Sequence, residues 1–214
     1  MEVKEGNKFY KIQWLWNILS NGLFVFGLKN RLARIGLDIT PFYLVQEGVT
    51  EFEAPEIRGD SSAYTVSCFE EHEISLIEKS ILGIKQNNLL KDLKSGQICV
   101  GLKHGNEIAA FMFLNKEHID LKGRFIKLKN NEVSLHSMYT FESYRGKNLA
   151  PYLRYHSHKL ADELGLYTKY SISEYFNKST IKFKKKLNSK HLKLYVSIIL
   201  FRKIKWHFIL RKYN

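Results

Sequence analysis

Cysteine is nearly absent from this 214-residue chain. Cys68 and Cys99 are its only two, and neither belongs to a Cys-x-x-Cys pair. That excludes a disulfide scaffold and a cysteine-based zinc site. Cys99 sits in an apolar, strand-like run and reads as a packing residue; a reducing cytoplasm is the expected compartment. Of the three prolines, Pro55 together with Gly59 punctuates an irregular linker over residues 50–62. Pro151 falls in the first turn of a helix, where proline is tolerated. No internal repeat or low-complexity tract is present. The uncharged stretch 12–28 is at the short edge of a membrane span. Gln13, Asn17, Ser20, Asn21 and two glycines argue against spanning. No small-residue cleavage site follows it, and Glu2 and Glu5 dilute the positive start, so no secretory signal is expected.

Acidic residues are missing from one region altogether. Residues 175–214 hold twelve Lys/Arg and no Asp or Glu, which leaves about +1 of the net charge of +13 for residues 1–174. Residues 47–78 are acidic, with nine Asp/Glu against Arg58 alone. The charge is therefore a C-terminal basic face whose partner should be anionic: phosphates of a coenzyme, an acyl carrier protein, a nucleotide-sugar diphosphate, a phospholipid surface or nucleic acid. With 44% hydrophobic and 14% aromatic residues, the chain can bury a core.

In residues 12–28, Ile12, Leu15, Trp16, Leu19, Leu23 and Phe26 recur at helical spacing, and Lys29, Arg31 and Arg34 follow. This predicts an amphipathic helix. It lies in a membrane interface on the cytoplasmic side, packs on its own domain, or packs on a second subunit as a homodimer. Further along, the patterns predict strands at 42–46 and 64–69, helices at 71–82 and 87–94, and strands at 97–103 and 107–114 joined by a His104-Gly-Asn106 turn. Residues 124–128 should extend that sheet. A strand follows at 132–140, then a helix at 149–164 with Leu149, Tyr152, Leu153, Leu160 and Leu164 on one stripe. A strand at 167–172, a helix at 177–187 and strands at 192–201 and 205–211 complete the order. The division expected is residues 1–60 as an N-terminal extension and 61–214 as the main domain.

The most informative segment begins at Tyr139. The apolar run Val133–Met138 leads into Arg145-Gly-Lys-Asn-Leu-Ala150, and a helical pattern opens at once. A strand that stops at a small-residue turn and starts a helix presents outward N–H groups and the positive end of a helix dipole. Arg145 and Lys147 add full charges, so a pyrophosphate fits there.

Tyr144, Arg145, Gly146, Lys147 and Ala150 resemble the acyl-CoA signature of the GNAT superfamily of N-acetyltransferases. Asn148 replaces the usual Gly, and Asn is the non-Gly residue that best tolerates a left-handed backbone. A second stretch, with Asn177, Thr180, Ile181, Lys186 and Leu187, is similar to the family's Asn-containing segment. Lys184 stands there where the family often has a Tyr that protonates the leaving thiolate, and Asn188 stands where Gly is usual. The resemblance covers roughly residues 64–210. It implies an α+β, GNAT-like fold: a mixed, mostly antiparallel central sheet flanked by helices, in which the strands at 132–140 and 167–172 splay apart around the pantetheine. It also implies acetyl-CoA as co-substrate. Pantetheine and oxyanion contacts would come from Met138, Tyr139 and Thr140, pyrophosphate contacts from Arg145, Gly146, Lys147, Asn148, Leu149 and Ala150, and help in positioning from Asn177.

Transfer to an amine needs a polarising donor, a base and an acid. Candidates are His136, Tyr139 and Glu174, with Tyr175 a further acid. By alternation His136 and Tyr139 lie on opposite faces of their strand unless a bulge intervenes. His156 and His158, two apart on a helix, point to different sides, and no metal is expected. The N-terminal extension resembles that of GNAT-like proteins in bacterial surface-polysaccharide pathways, which implies an amino-sugar acceptor carried on a nucleotide or lipid. Two rival readings are transfer of a longer acyl chain from an acyl carrier protein, and a non-catalytic basic module that binds membrane or nucleic acid. The strand-like runs in the basic tail speak against the nucleic-acid version.

Overall fold

The computed structural model describes residues 31–48, 50, 52–81, 88–201 and 203–213. The helix expected at 12–28 lies outside them. Eight strands form one sheet in the order β10-β9-β1-β8-β7-β4-β3-β2. The strands are β1 (Leu37–Glu47), β2 (Tyr64–Phe69), β3 (Ile98–His104), β4 (Glu107–Asn115), β7 (Glu132–Thr140), β8 (Thr168–Glu174), β9 (Lys190–Leu200) and β10 (Ile204–Lys212). Helices α1 (Glu71–Ser80), α2 (Leu89–Lys94), α3 (Leu149–Glu163) and α4 (Lys178–Lys186) complete the main elements. Every pairing is antiparallel except β7 with β8. β1, which precedes the linker, runs between β8 and β9.

Strand β4 is buried from Ala109 to Asn115, so helices must cover both of its faces. Ala110, Met112 and Leu114 join Val100, Leu102, Val133 and Leu135 in a core with Leu149, Leu153 and Ala161 of α3. Phe111 and Phe113 point the other way, to Phe69, Cys99, Ile74 and Ile77 of α1 and Leu89 of α2. Alternation along one strand thus assigns the helices to their faces. Gly101 belongs to this packing: a Cβ there would lie 1.9 Å from the Phe69 ring, which crosses β3 at that point.

Residues 124–128 do not extend the main sheet. β6 (Phe125–Lys127) pairs with β5 (His118–Asp120) in a separate two-stranded ribbon. Ile119, Leu121 and Leu128 are buried there against Phe42 and Leu44 of β1 and Tyr195 of β9. The apolar residues that suggested a sheet strand instead cover a sheet face.

Two irregularities shape the middle of the sheet. β7 and β8 pair only from Glu132↔Thr168 to Leu135↔Ser171. Beyond that, β7 follows β4 to Thr140 and β8 follows β1 to Glu174, so the two strands part. The register of β7 against β4 also slips: Phe113 faces His136 and Phe111 faces Tyr139. Two steps on β4 match three on β7, which is a β-bulge. Its extra residue lies in the Ser137–Met138 pair, and Ser137 takes φ 50°.

Candidate active site

The segment after β7 is built to leave backbone donors free. Phe141 N–H donates to Ala109 O, and a single 3₁₀ turn covers Glu142–Tyr144. Tyr144 is buried in the core, and its hydroxyl donates to Glu107 on β4, which anchors the turn. Gly146 has φ 82°, and Asn148 takes the left-handed conformation as the N-cap of α3. The Asn148 side chain does not cap the helix; its Nδ2 donates to Glu56 O at 2.7 Å. Arg58 N–H donates to Lys147 O at 3.0 Å. The linker is thus docked on the loop from outside, through the carbonyls of Gly146 and Lys147 and the Asn148 side chain. The N–H groups of Gly146, Lys147, Asn148, Leu149 and Ala150 donate to no acceptor among the described residues. A Cβ on Gly146 would meet nothing within 4 Å, so space lies open over the cradle. Consecutive free amides at a helix N-terminus form an anion site. Arg145 reinforces it, held by Nε to Thr140 O at 3.2 Å with its guanidinium over the Tyr139 ring.

From this cradle a cleft of about 850 Å³ runs between α3 and α4 into the gap between β7 and β8. Met138, Tyr139, Thr140, Arg145, Gly146, Asn148, Leu149, Ala150 and Asn177 line it, as do His136 and Glu174. The backbone of 136–140 that faces β8 has no ladder partner there. Among the described residues no group of three His, Cys, Asp or Glu is placed to hold a metal ion.

The bulge changes the expected facing of the candidate catalytic residues. His136 and Tyr139 lie on one face: the His136 ring is 5.9 Å from Phe113, and the Tyr139 ring is 6.0 Å from Phe111. His136 Nε2 is 2.7 Å from Gln97 Oε1, and Nδ1 is 2.9 Å from Ser137 Oγ. The Gln97 carbonyl requires a proton on Nε2, so Nδ1 accepts from the Ser137 hydroxyl. Burial, with Arg154 nearby, pushes the His136 pKa down to about 4, so the ring is neutral at pH 7. Tyr139 packs edge-on against Phe141. Glu174 is salt-bridged to Lys122 at 2.8 Å across the cleft mouth. Asn177 caps α4, its Oδ1 accepting from Thr180 N–H and Ser179 Oγ. Tyr175 lies outside the cleft lining and packs on Tyr43 and Phe176.

At the inner end of the cleft is a cluster that the sequence pattern did not reveal. Glu47, at the end of β1, is 1% exposed. It meets His158 Nε2 at 3.1 Å, Lys184 Nζ at 3.3 Å and Arg154 Nε at 3.4 Å, and accepts a hydrogen bond from Ser171. Lys184 also donates to Ser171 Oγ at 2.7 Å and Ile172 O at 3.0 Å. Burial opposes ionisation of Glu47, but Arg154, Lys184 and the His158 hydrogen bond hold its carboxyl well below the usual range. Burial pushes the Lys184 ammonium down to about 8, with Glu47 opposing the shift. Burial likewise lowers the His158 pKa, so its ring is neutral at pH 7. The buried face of α3 is accordingly turned from the stripe expected. Arg154, Ser157 and His158 lie inside with Leu149, Leu153 and Ala161, and Leu164 is half exposed. The available signal was Arg154 seven residues, two helical turns, before the buried Ala161.

No protein-family model matches the chain, and no curated protein matches it in sequence. Solved structures do match in fold. An acetyltransferase of the GNAT family from Colwellia psychrerythraea is 14% identical at TM-score 0.55, over 78% of this chain and 59% of that one. An N-acetyltransferase-like protein from Streptococcus suis is 14% identical at TM-score 0.52, over 81% and 66%. The match to a fungal multi-domain β-N-acetylglucosaminidase, whose structure is described as having a glucosamine N-acetyltransferase region, is 11% identical at TM-score 0.57, over 85% and 22%. The chain spans at most about two thirds of the length of these three structures. With strands parted at the middle of a mixed, mostly antiparallel sheet and a free-amide turn behind them, the chain has the GNAT-like α+β fold.

Proposed function

We propose that this protein is an N-acyltransferase that moves an acyl group from acyl-CoA to a primary amine by direct attack in a ternary complex. The observation that carries this reading is the run of five unpartnered amides, Gly146–Ala150, at the end of a cleft that opens where β7 and β8 part. The pyrophosphate sits on those amides beside Arg145. The pantetheine lies between α3 and α4, and its amide groups pair with the unladdered backbone of Met138, Tyr139 and Thr140. A backbone N–H in the same stretch polarises the thioester carbonyl as charge builds on its oxygen.

The amine comes from the face that carries His136 and Tyr139. As it attacks, its proton passes to Ser137 Oγ while the Ser137 proton passes to His136 Nδ1. His136 keeps its Nε2 proton on Gln97 throughout. Lys184, protonated at pH 7 and lining the cleft, stabilises the departing thiolate by its charge, and the thiolate takes up a proton from solvent. The acceptor is an amine of a sugar. The fold similarity to the fungal structure with a glucosamine N-acetyltransferase region favours that class.

Release of free thiol from acetyl-CoA, followed with glucosamine and with a peptide amine, tests the proposal. Amine-dependent thiol release is expected. In Arg145→Ala, KM for the thioester should rise about tenfold, the worth of one charge-assisted contact to phosphate. Thiol release that ignores the amine, or an Arg145→Ala variant with unchanged KM, would overturn it.

A further inference from the structure

We propose that the inner end of the cleft is a carboxylate pocket, and that the acyl group transferred ends in a free carboxylate, as the half-thioester of a dicarboxylic acid does. This rests on the acyl-transfer reading above. Arg154 of α3 and Lys184 of α4 come from the two helices that flank the cleft, and both line it. Each side chain is 3% exposed. Between them stands one carboxylate, Glu47, and the third neighbour, His158, is neutral. Two cations against one anion leave an excess positive charge where little water reaches. Such an imbalance is costly unless an anion completes it.

The hydrogen bonds point the same way. Lys184 already has three acceptors, in Ser171, Ile172 O and Glu47. Arg154 does not: its Nε and Nη1 are buried without a hydrogen-bond partner among the described residues, although Nε lies at ion-pair distance from Glu47. Buried guanidinium N–H groups left unpaired are rare. The planar fork of an Arg is suited to grip a carboxylate through two parallel bonds. Lys184 therefore supplies charge to the pocket, and Arg154 supplies donors.

The position of Arg154 identifies the carrier. Arg154 follows the phosphate cradle by little more than one turn of α3, on the helix face that packs over the sheet. His136 and Tyr139 face the opposite side, toward Phe111 and Phe113. A group that reaches Arg154 thus belongs to the thioester bound between α3 and α4, not to the amine.

Affinities of the full chain for acetyl-CoA, succinyl-CoA and CoA, read from thermal unfolding against ligand concentration, test this. Succinyl-CoA should bind on the order of tenfold more tightly than acetyl-CoA, as one hydrogen-bonded charge pair provides. The difference should vanish in Arg154→Met. That change also strips Glu47 of a partner, so Arg154→Lys, which keeps the charge and loses the fork, is measured beside it and should lose most of the preference. Equal affinities for the two thioesters in the wild-type protein would overturn the carboxylate pocket while leaving the thioester site standing. No shift with any of the three ligands would overturn both. A shift with free glutamate in the presence of CoA, lost in Arg154→Met, would assign the pocket to the acceptor and overturn the assignment to the acyl group.

Discussion

His136 shows how position, more than residue type, sets chemistry. A histidine in water titrates near neutrality. This one is packed beside Phe113, tied to Gln97 and Ser137, and its pKa falls to about 4. The folded protein therefore binds a proton here less readily than the unfolded chain, which titrates near 6.5. Between those values the unfolded state carries the extra proton, so stability falls as pH drops from 6.5 toward 4. The loss from this residue should be on the order of 3 kcal/mol by the lower limit. Chemical denaturation across pH 4–7 checks it: the wild-type slope should be steeper than that of His136→Gln. Parallel pH dependences in the two proteins would show that His136 is not the group responsible. Glu47 adds to acid sensitivity in the same direction, because a carboxyl held low by its cations loses its charge, and that stabilisation, as pH falls through its own pKa.

At the scale of elements, the approach of Phe69 across β3 makes Gly101 a packing residue, not a flexible one. A Cβ there meets the ring well inside contact distance. Gly101→Ala should destabilise the fold by about 1–3 kcal/mol, the usual cost of overpacking a core. The midpoint of urea unfolding measures this, and Phe69→Leu in the same background should restore part of the loss. Most elements around Gly101 were readable in the sequence because each carries its own period. β4 shows a continuous apolar run, α3 opens after a small-residue turn, and the His104-Gly-Asn106 turn joins two strands. What could not be read depends on partners distant in sequence. The bulge at Ser137 exists only relative to β4, and no local pattern announces it. Residues 124–128 are apolar like a sheet strand, but pair with His118–Asp120 to cover Phe42 and Tyr195. Arg154, Lys184 and Glu47 look like solvated charges in sequence, and Glu47 reads as part of an acidic run. They are buried because they meet one another across three elements. The cradle was legible because its cause is local: a glycine, a left-handed Asn and a helix start within five residues.

Across the whole molecule, the topology accounts for the cleft. β8 is held along its outer edge by β1 and β7 by β4, so the two strands can separate beyond Leu135 and Ser171 without leaving the sheet. Opened between the carboxyl-terminal halves of two parallel strands, the gap lies toward the end of the sheet where open sheets receive ligands. Arg58, Lys122, Arg145, Lys182 and Lys186 line it, which places cations of a chain with net charge +13 where phosphates would arrive. On the acyl-transfer reading proposed above, the amide cradle and the parted strands form one continuous site for a phosphate-bearing thioester carrier. Calorimetric titration of CoA into the full chain, at two salt concentrations, tests that claim most directly. Saturable one-to-one binding is expected, weaker at the higher salt as phosphate contacts are screened and about tenfold weaker in Arg145→Ala. No heat of binding at millimolar CoA, or binding that neither salt nor Arg145→Ala affects, would contradict it.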